Sequence, residues 1–222
     1  IKIQYVGING SQAIIGRGNE RREVKNGAII GMVGKNYFLV KPKDKHKLIR
    51  NNVLGTANIV NACLNNHIQK LCHCSSVAAL GETGDGTELT EENEKTDYDD
   101  VSDYAISKHR SEMEAWRGIA EGLKTVIVNP SVIMGAGNWD HGSPRMIKAM
   151  WNGLKYYTKG ENGFIDVKDV VNLMILLTES DITAERFILT GENLAFRTVF
   201  DHIADNLEMK RPHKYAYRIS GY

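Results

Sequence analysis

Two short apolar runs, Leu71-Cys72-His73-Cys74-Ser75-Ser76 and Thr125-Val126-Ile127-Val128-Asn129, each end in small or polar residues and lie on either side of one helical stretch. Their length and punctuation read as buried strands, and Ser102 or Asp103 can cap a helix running through Met113 to about Gly122. Open α/β sheets bind ligands outside the carboxyl ends of their parallel strands. Ser75 and Ser76 fall at such an end.

The helix opens on Tyr104-Ala105-Ile106-Ser107-Lys108. Residues four apart share a helix face, so the phenol and the ammonium point into one space. A cation held there favours the phenolate and lowers a pKa of about 10, which makes Tyr104 a proton donor and acceptor for a carbonyl or an alcohol. The plain alternative for five such residues is an exposed polar pair. Cys72-His73-Cys74 invites a metal reading, but neighbouring strand residues point to opposite faces and no second ligand pair lies nearby. Glu91 and Glu92 resemble a glycosidase acid and base without an opposing partner. The acids from Glu88 to Asp100 read as a solvated loop.

Two further segments, Asn51-Asn52-Val53-Leu54-Gly55-Thr56 and Phe164-Ile165-Asp166-Val167-Lys168-Asp169-Val170, complete a recognisable set. From about Pro42 to Leu207 the chain resembles the extended short-chain dehydrogenase/reductase superfamily, in particular its NAD-dependent epimerase/dehydratase and dihydroflavonol-reductase-like members. The resemblance implies a Rossmann-like, doubly wound parallel sheet with a smaller, discontinuous substrate-binding portion. The dinucleotide-binding domain would cover 1–135 and return at 164–191, with 136–163 and 192–222 forming the substrate portion. It also implies a Ser76/Tyr104/Lys108 site in which both hydroxyls bond the reacting oxygen, with Asn52 in a supporting or catalytic role. Lys108 lowers the Tyr104 pKa and holds the nicotinamide ribose, and Ser75, Asn129, Pro130 and Ser131 border the cofactor. The family often has arginine before this proline, and Asn129 removes that charge.

The implied activity is hydride transfer between NADP or NAD and a small-molecule ketone or secondary alcohol. The alternatives are a nucleotide-sugar epimerase or dehydratase, and a dinucleotide-binding sensor without turnover. A homodimer is implied through the helix from about Lys47 to Asn65 and the Tyr104 helix, with Ile49, Val60, Ala115 and Trp116 offering apolar surface. Gly55 within the first of these helices costs about 1 kcal/mol against alanine, so a close packing contact is expected there. Asp169 reads as a cap or first-turn acid of the helix Val170 to Glu179.

The N-terminus fits less well. Ile1 to Val6 reads as a strand, and Gly7, Gly10 and Ala13 have the spacing of a phosphate loop, in which glycines let the backbone approach a pyrophosphate at a helix N-terminus. The stretch Ile14 to Asn19 is too rich in glycine to continue as a helix. A second reading makes Ala13 to Gly16 the next parallel strand, with Arg17 at its end as the cation for an NADP 2′-phosphate. No crossover separates Val6 from Ala13, so two strand-helix units that the family places before Ala28–Gly34 are missing from these 222 residues.

Charge and composition exclude several classes. A formal net charge of +1 gives no electrostatic case for nucleic acid or an anionic membrane. The longest largely apolar run, Val170 to Leu177, is far short of the roughly 20 residues of a membrane span. The start lacks the pattern of a signal peptide, and three cysteines are too few for a disulfide scaffold, so a reducing, cytoplasmic setting is expected.

Overall fold

A computed structural model describes residues 5–9, 12–17, 20–24, 45–81, 87–93, 101–140 and 142–216, with side chains from Leu48 onward. In chain order the elements are β1 (Tyr5–Asn9), β2 (Gln12–Arg17), β3 (Glu20–Val24), α1 (Lys45–Asn65), β4 (Leu71–Cys74), α2 (Asp103–Ala120), β5 (Thr125–Pro130), β6 (Val132–Met134), α3 (Pro144–Trp151), β7 (Tyr156–Tyr157), β8 (Glu161–Asp166), α4 (Val167–Glu179), β9 (Glu185–Leu189), β10 (Glu192–Ala195), α5 (Phe196–Asn206) and β11 (Lys214–Tyr215). The chain divides into two compact units, Ile1–Pro130 with Asn172–Ile188, and Ser131–Val171 with Leu189–Tyr222. The return to the first unit falls at Asn172 rather than 164, because β8 belongs to the sheet of the second unit.

In the first unit β4 and β5 pair in parallel, Leu71 opposite Thr125 through Cys74 opposite Val128, and the sheet order is β4-β5-β9. Val126, Ile127 and Val128 are all fully buried, as a strand covered on both faces requires. Helices α1 and α2 pack together over a core of Ile59, Val60, Cys63, Leu71 and Leu123. Their close approach is at Gly118, where an added Cβ would lie 2.8 Å from Cγ1 of Val60. The contact expected at Gly55 is not there: among the described residues nothing lies within 4 Å of a Cβ at that position. Val60 and Ala115, expected on a dimer face, are fully buried within the chain. Helix α2 ends where Gly122 takes φ of +93°, with the Leu123 amide donating to the Gly118 carbonyl at 2.8 Å.

In the second unit β8 pairs in parallel with β6 and antiparallel with β10, and β7 pairs in parallel with β11. Phe164 of β8 meets Phe196 of α5 edge to face, with ring centroids 5.6 Å apart. Helix α4 begins at Val167, earlier than expected, and Asp166 caps it by accepting from the Lys168 amide at 2.7 Å. Asp169 sits in the first turn as an acid near the positive end of the helix.

The N-terminal expectations are corrected. Strands β1, β2 and β3 form an antiparallel sheet, in which Gly7 pairs with Ile14 and Ala13 with Ile8. The chain turns from β1 into an antiparallel partner instead of a helix, so the amide cradle of a phosphate loop does not form at Gly7 and Ala13. Arg17 pairs with Glu20 of β3 at the end of an antiparallel strand, not a parallel one, which removes the premise for an NADP preference. Gly10 and the segment Ala28–Gly34 lie outside the described residues.

Candidate active site

Ser102 fixes the start of α2, its hydroxyl accepting from the Ala105 amide at 3.2 Å. Tyr104 therefore projects from the first turn and Lys108 from the next, on one face. A second chain of bonds steadies that turn. Nδ2 of buried Asn52 on α1 donates to Oγ of Ser107 at 2.8 Å, and the Ser107 hydroxyl donates to the Tyr104 carbonyl at 2.8 Å. Asn52 thus holds the turn that carries the tyrosine and does not bond the phenol.

Ser76 follows β4 and caps a short 3₁₀ turn, Val77–Ala79, by accepting from the Ala78 amide at 3.2 Å. The Ser76 side chain lies close enough to the Tyr104 phenol to act on its ionisation, so the strand end and the helix start bring the two residues together. Lys108 is buried, and its ammonium donates to the Cys74 carbonyl at 3.2 Å.

Electrostatics at this point differ from the expected phenolate. Tyr104 is 39% exposed as a residue, but its hydroxyl end is crowded by protein, and burial raises its pKa above the usual phenol value while the Ser76 side chain opposes the rise. At neutral pH it is a phenol with a proton to donate. Burial pulls the Lys108 ammonium below its usual range, and Cys74 and Glu112 act to raise it. Burial and the Lys108 charge push His73 down to about 3, and its Nε2 has no partner among the described residues. Burial raises Cys63 and Cys72 to about 11, which leaves both as inert thiols.

Other expected contacts turn inward. The Ser75 hydroxyl donates to Oε2 of Glu112 at 2.5 Å, and Nδ2 of Asn129 donates to the same oxygen at 2.8 Å and to the Ser76 carbonyl at 3.0 Å. Both residues therefore spend their side-chain donors on the protein, although Oδ1 of Asn129 is left without a partner among the described residues. Pro130 is buried at the end of β5, and the Ser131 hydroxyl donates to Oγ1 of Thr190 at 3.3 Å in the second unit.

Sequence reasoning missed Glu112. It is 2% exposed and pairs with Arg186, whose Nη1 lies 3.2 Å from Oε1. Arg186 belongs to β9. The available signal was spacing: Glu112 stands four residues after Lys108 and eight after Tyr104, on the same face.

A parallel α/β sheet with a serine, a tyrosine and a lysine gathered at its strand ends defines the short-chain dehydrogenase/reductase class in its extended form. The model of the NAD dependent epimerase/dehydratase family matches residues 21–188, and the chain belongs to that family. A candidate dihydroflavonol 4-reductase of Synechocystis sp. is 32% identical over 176 residues, 76% of this chain and 51% of the relative. The crystal structure of gox2253 superposes with a TM-score of 0.75 at 29% identity, covering 83% of this chain and 57% of that one. A UDP-N-acetylglucosamine 4-epimerase from Methanobrevibacter ruminantium gives 0.68 at 25% identity, over 84% and 63%. The chain spans about half the length of the curated relatives it matches.

Proposed function

We propose that the chain is an NAD(P)-dependent oxidoreductase acting on a small-molecule ketone or secondary alcohol. The observation that carries this is the Ser76–Tyr104 hydroxyl pair with Lys108 one helical turn further on. When bound, the nicotinamide supplies the hydride donor or acceptor. Ser76 and Tyr104 would hold the substrate oxygen between them, and Tyr104, protonated at neutral pH, would give it a proton in reduction. Lys108, whose ammonium donates to the Cys74 carbonyl beside Tyr104, would hold the nicotinamide ribose hydroxyls and place a positive charge beside the proton path. Two hydroxyls and an ammonium fit the nicotinamide end of the cofactor; for the pyrophosphate, β1 is followed by an antiparallel strand rather than a helix. Tyr104→Phe should lower turnover on the order of 10²–10⁴-fold with the circular dichroism unchanged. Equal turnover in the two proteins would end this reading.

A second reading, nucleotide-sugar epimerisation, rests on the likeness to the 4-epimerase structure. It begins with the same hydride step and returns the hydride to the substrate. Net accumulation of reduced or oxidised cofactor separates the two. A homodimer would form on the outer faces of α1 and α2, which carry Leu54 and Met113, 51% and 47% exposed. The cytoplasm suits three free cysteines, and no helix among the described residues is long and apolar enough to cross a membrane.

A further inference from the structure

We propose that Glu112 and Arg186 are positioning residues, a buried ion pair that fastens the ends of β4 and β5 and the Glu91–Asn93 turn to the helix bearing Tyr104 and Lys108. This rests on the oxidoreductase reading for its purpose, and on the contacts alone for its geometry. Oε2 of Glu112 receives the Ser75 hydroxyl and the Asn129 amide, and the same amide group holds the Ser76 carbonyl. Ser76 is thus fixed through its neighbour on one side and through its own backbone on the other. Oε1 receives Nη1 of Arg186 at 3.2 Å and Nε1 of Trp116 at 3.4 Å. Arg186 spreads its remaining donors over the turn, Nε to the Glu91 carbonyl at 2.6 Å and Nη2 to the Asn93 carbonyl at 2.7 Å. The Glu91 carboxylate closes the loop by accepting from the Ile188 amide at 2.9 Å.

The three-way fork needs a planar guanidinium, and lysine cannot reproduce it. A carboxylate that is 2% exposed is tolerated only while its partners remain, so every contact in the set is held by the others. The pair also acts on charge. Lys108 is faced by Cys74 and His73 from β4 and by Glu112 from its own helix. His73 and Cys74 are neutral at neutral pH, so Glu112 carries the negative charge of the three and favours the ammonium.

The test uses the full chain with Glu112→Gln, Glu112→Asp and Arg186→Lys. The titration of Lys108 is followed by NMR of ¹³Cε-lysine and assigned with Lys108→Met. Glu112→Gln should move the Lys108 midpoint down by about one pH unit, and Glu112→Asp should restore most of it. In turnover, Glu112→Gln and Arg186→Lys should lower kcat on the order of tenfold or more while KM for NADH or NADPH stays within about threefold, because misplacing the hydroxyl pair disturbs the reacting geometry more than dinucleotide binding. If Glu112→Gln does not fold, the shorter carboxylate of Glu112→Asp supplies the kcat comparison and Arg186→Lys the second. An unmoved Lys108 midpoint, or variants that lose only melting temperature with kcat intact, would reduce the pair to a purely structural role. A wild-type protein without turnover would sink the oxidoreductase reading, and the lysine titration would still decide this one.

Discussion

His73 sits beside the Lys108 charge with a pKa of about 3 in the folded protein against about 6.5 when unfolded. A base whose folded pKa is depressed leaves the unfolded chain holding more protons between those two values. Its contribution to stability is therefore complete above pH 6.5 and is lost as pH falls toward 3, at up to about 1.4 kcal/mol per pH unit. His73→Phe should flatten that part of the stability profile, and urea unfolding between pH 6.5 and 4 would reveal it; parallel profiles for the two proteins would refute the assignment. The shared face of Tyr104 and Lys108 was legible in the sequence because helical period fixes where such side chains project, whereas Ser76 was singled out by resemblance to the family. Glu112 was not legible. An acid on an amphipathic helix ordinarily faces water, and the partner that buries it, Arg186, is 74 residues away along the chain.

At the scale of elements, periodicity located α1, the start of α2, β4 and β5 closely, since each carries its own apolar pattern and stop signal. It could not say which glycine is there for packing, because that depends on the facing helix. Gly55 and Gly118 lie in α1 and α2 and should respond oppositely to alanine. Gly55→Ala meets open space among the described residues and should gain about 1 kcal/mol from helix propensity. Gly118→Ala drives a methyl to 2.8 Å from fully buried Val60, and overpacking of about 1–3 kcal/mol outweighs the propensity gain. Thermal unfolding should place the two variants on opposite sides of the wild type by a few degrees, and Val60→Ala should rescue Gly118→Ala. Two shifts of the same sign would show that the helices do not meet at Gly118.

For the whole molecule, the first unit supplies a parallel pair with its chemistry at the strand ends, and the N-terminal strands supply an antiparallel sheet. The sequence shows that no crossover separates Val6 from Ala13, which implies missing strand-helix units; the structure instead pairs β1 and β2 antiparallel, an arrangement that needs no crossover. Pyrophosphate binding by a dinucleotide fold draws on amides at a helix N-terminus, and discrimination of the 2′-phosphate draws on a cation at the end of the next parallel strand. Arg17 has neither setting, since β2 runs antiparallel to both neighbours. Arg17→Ala should then change the affinities for NADPH and NADH by the same factor, within about twofold, the size expected of a charge that makes no specific contact with the 2′-phosphate. Fluorescence titration of both cofactors against both proteins measures this. A loss confined to NADPH would place Arg17 at the adenosine end after all, and would require the N-terminal strands to adopt a parallel arrangement when the cofactor is bound.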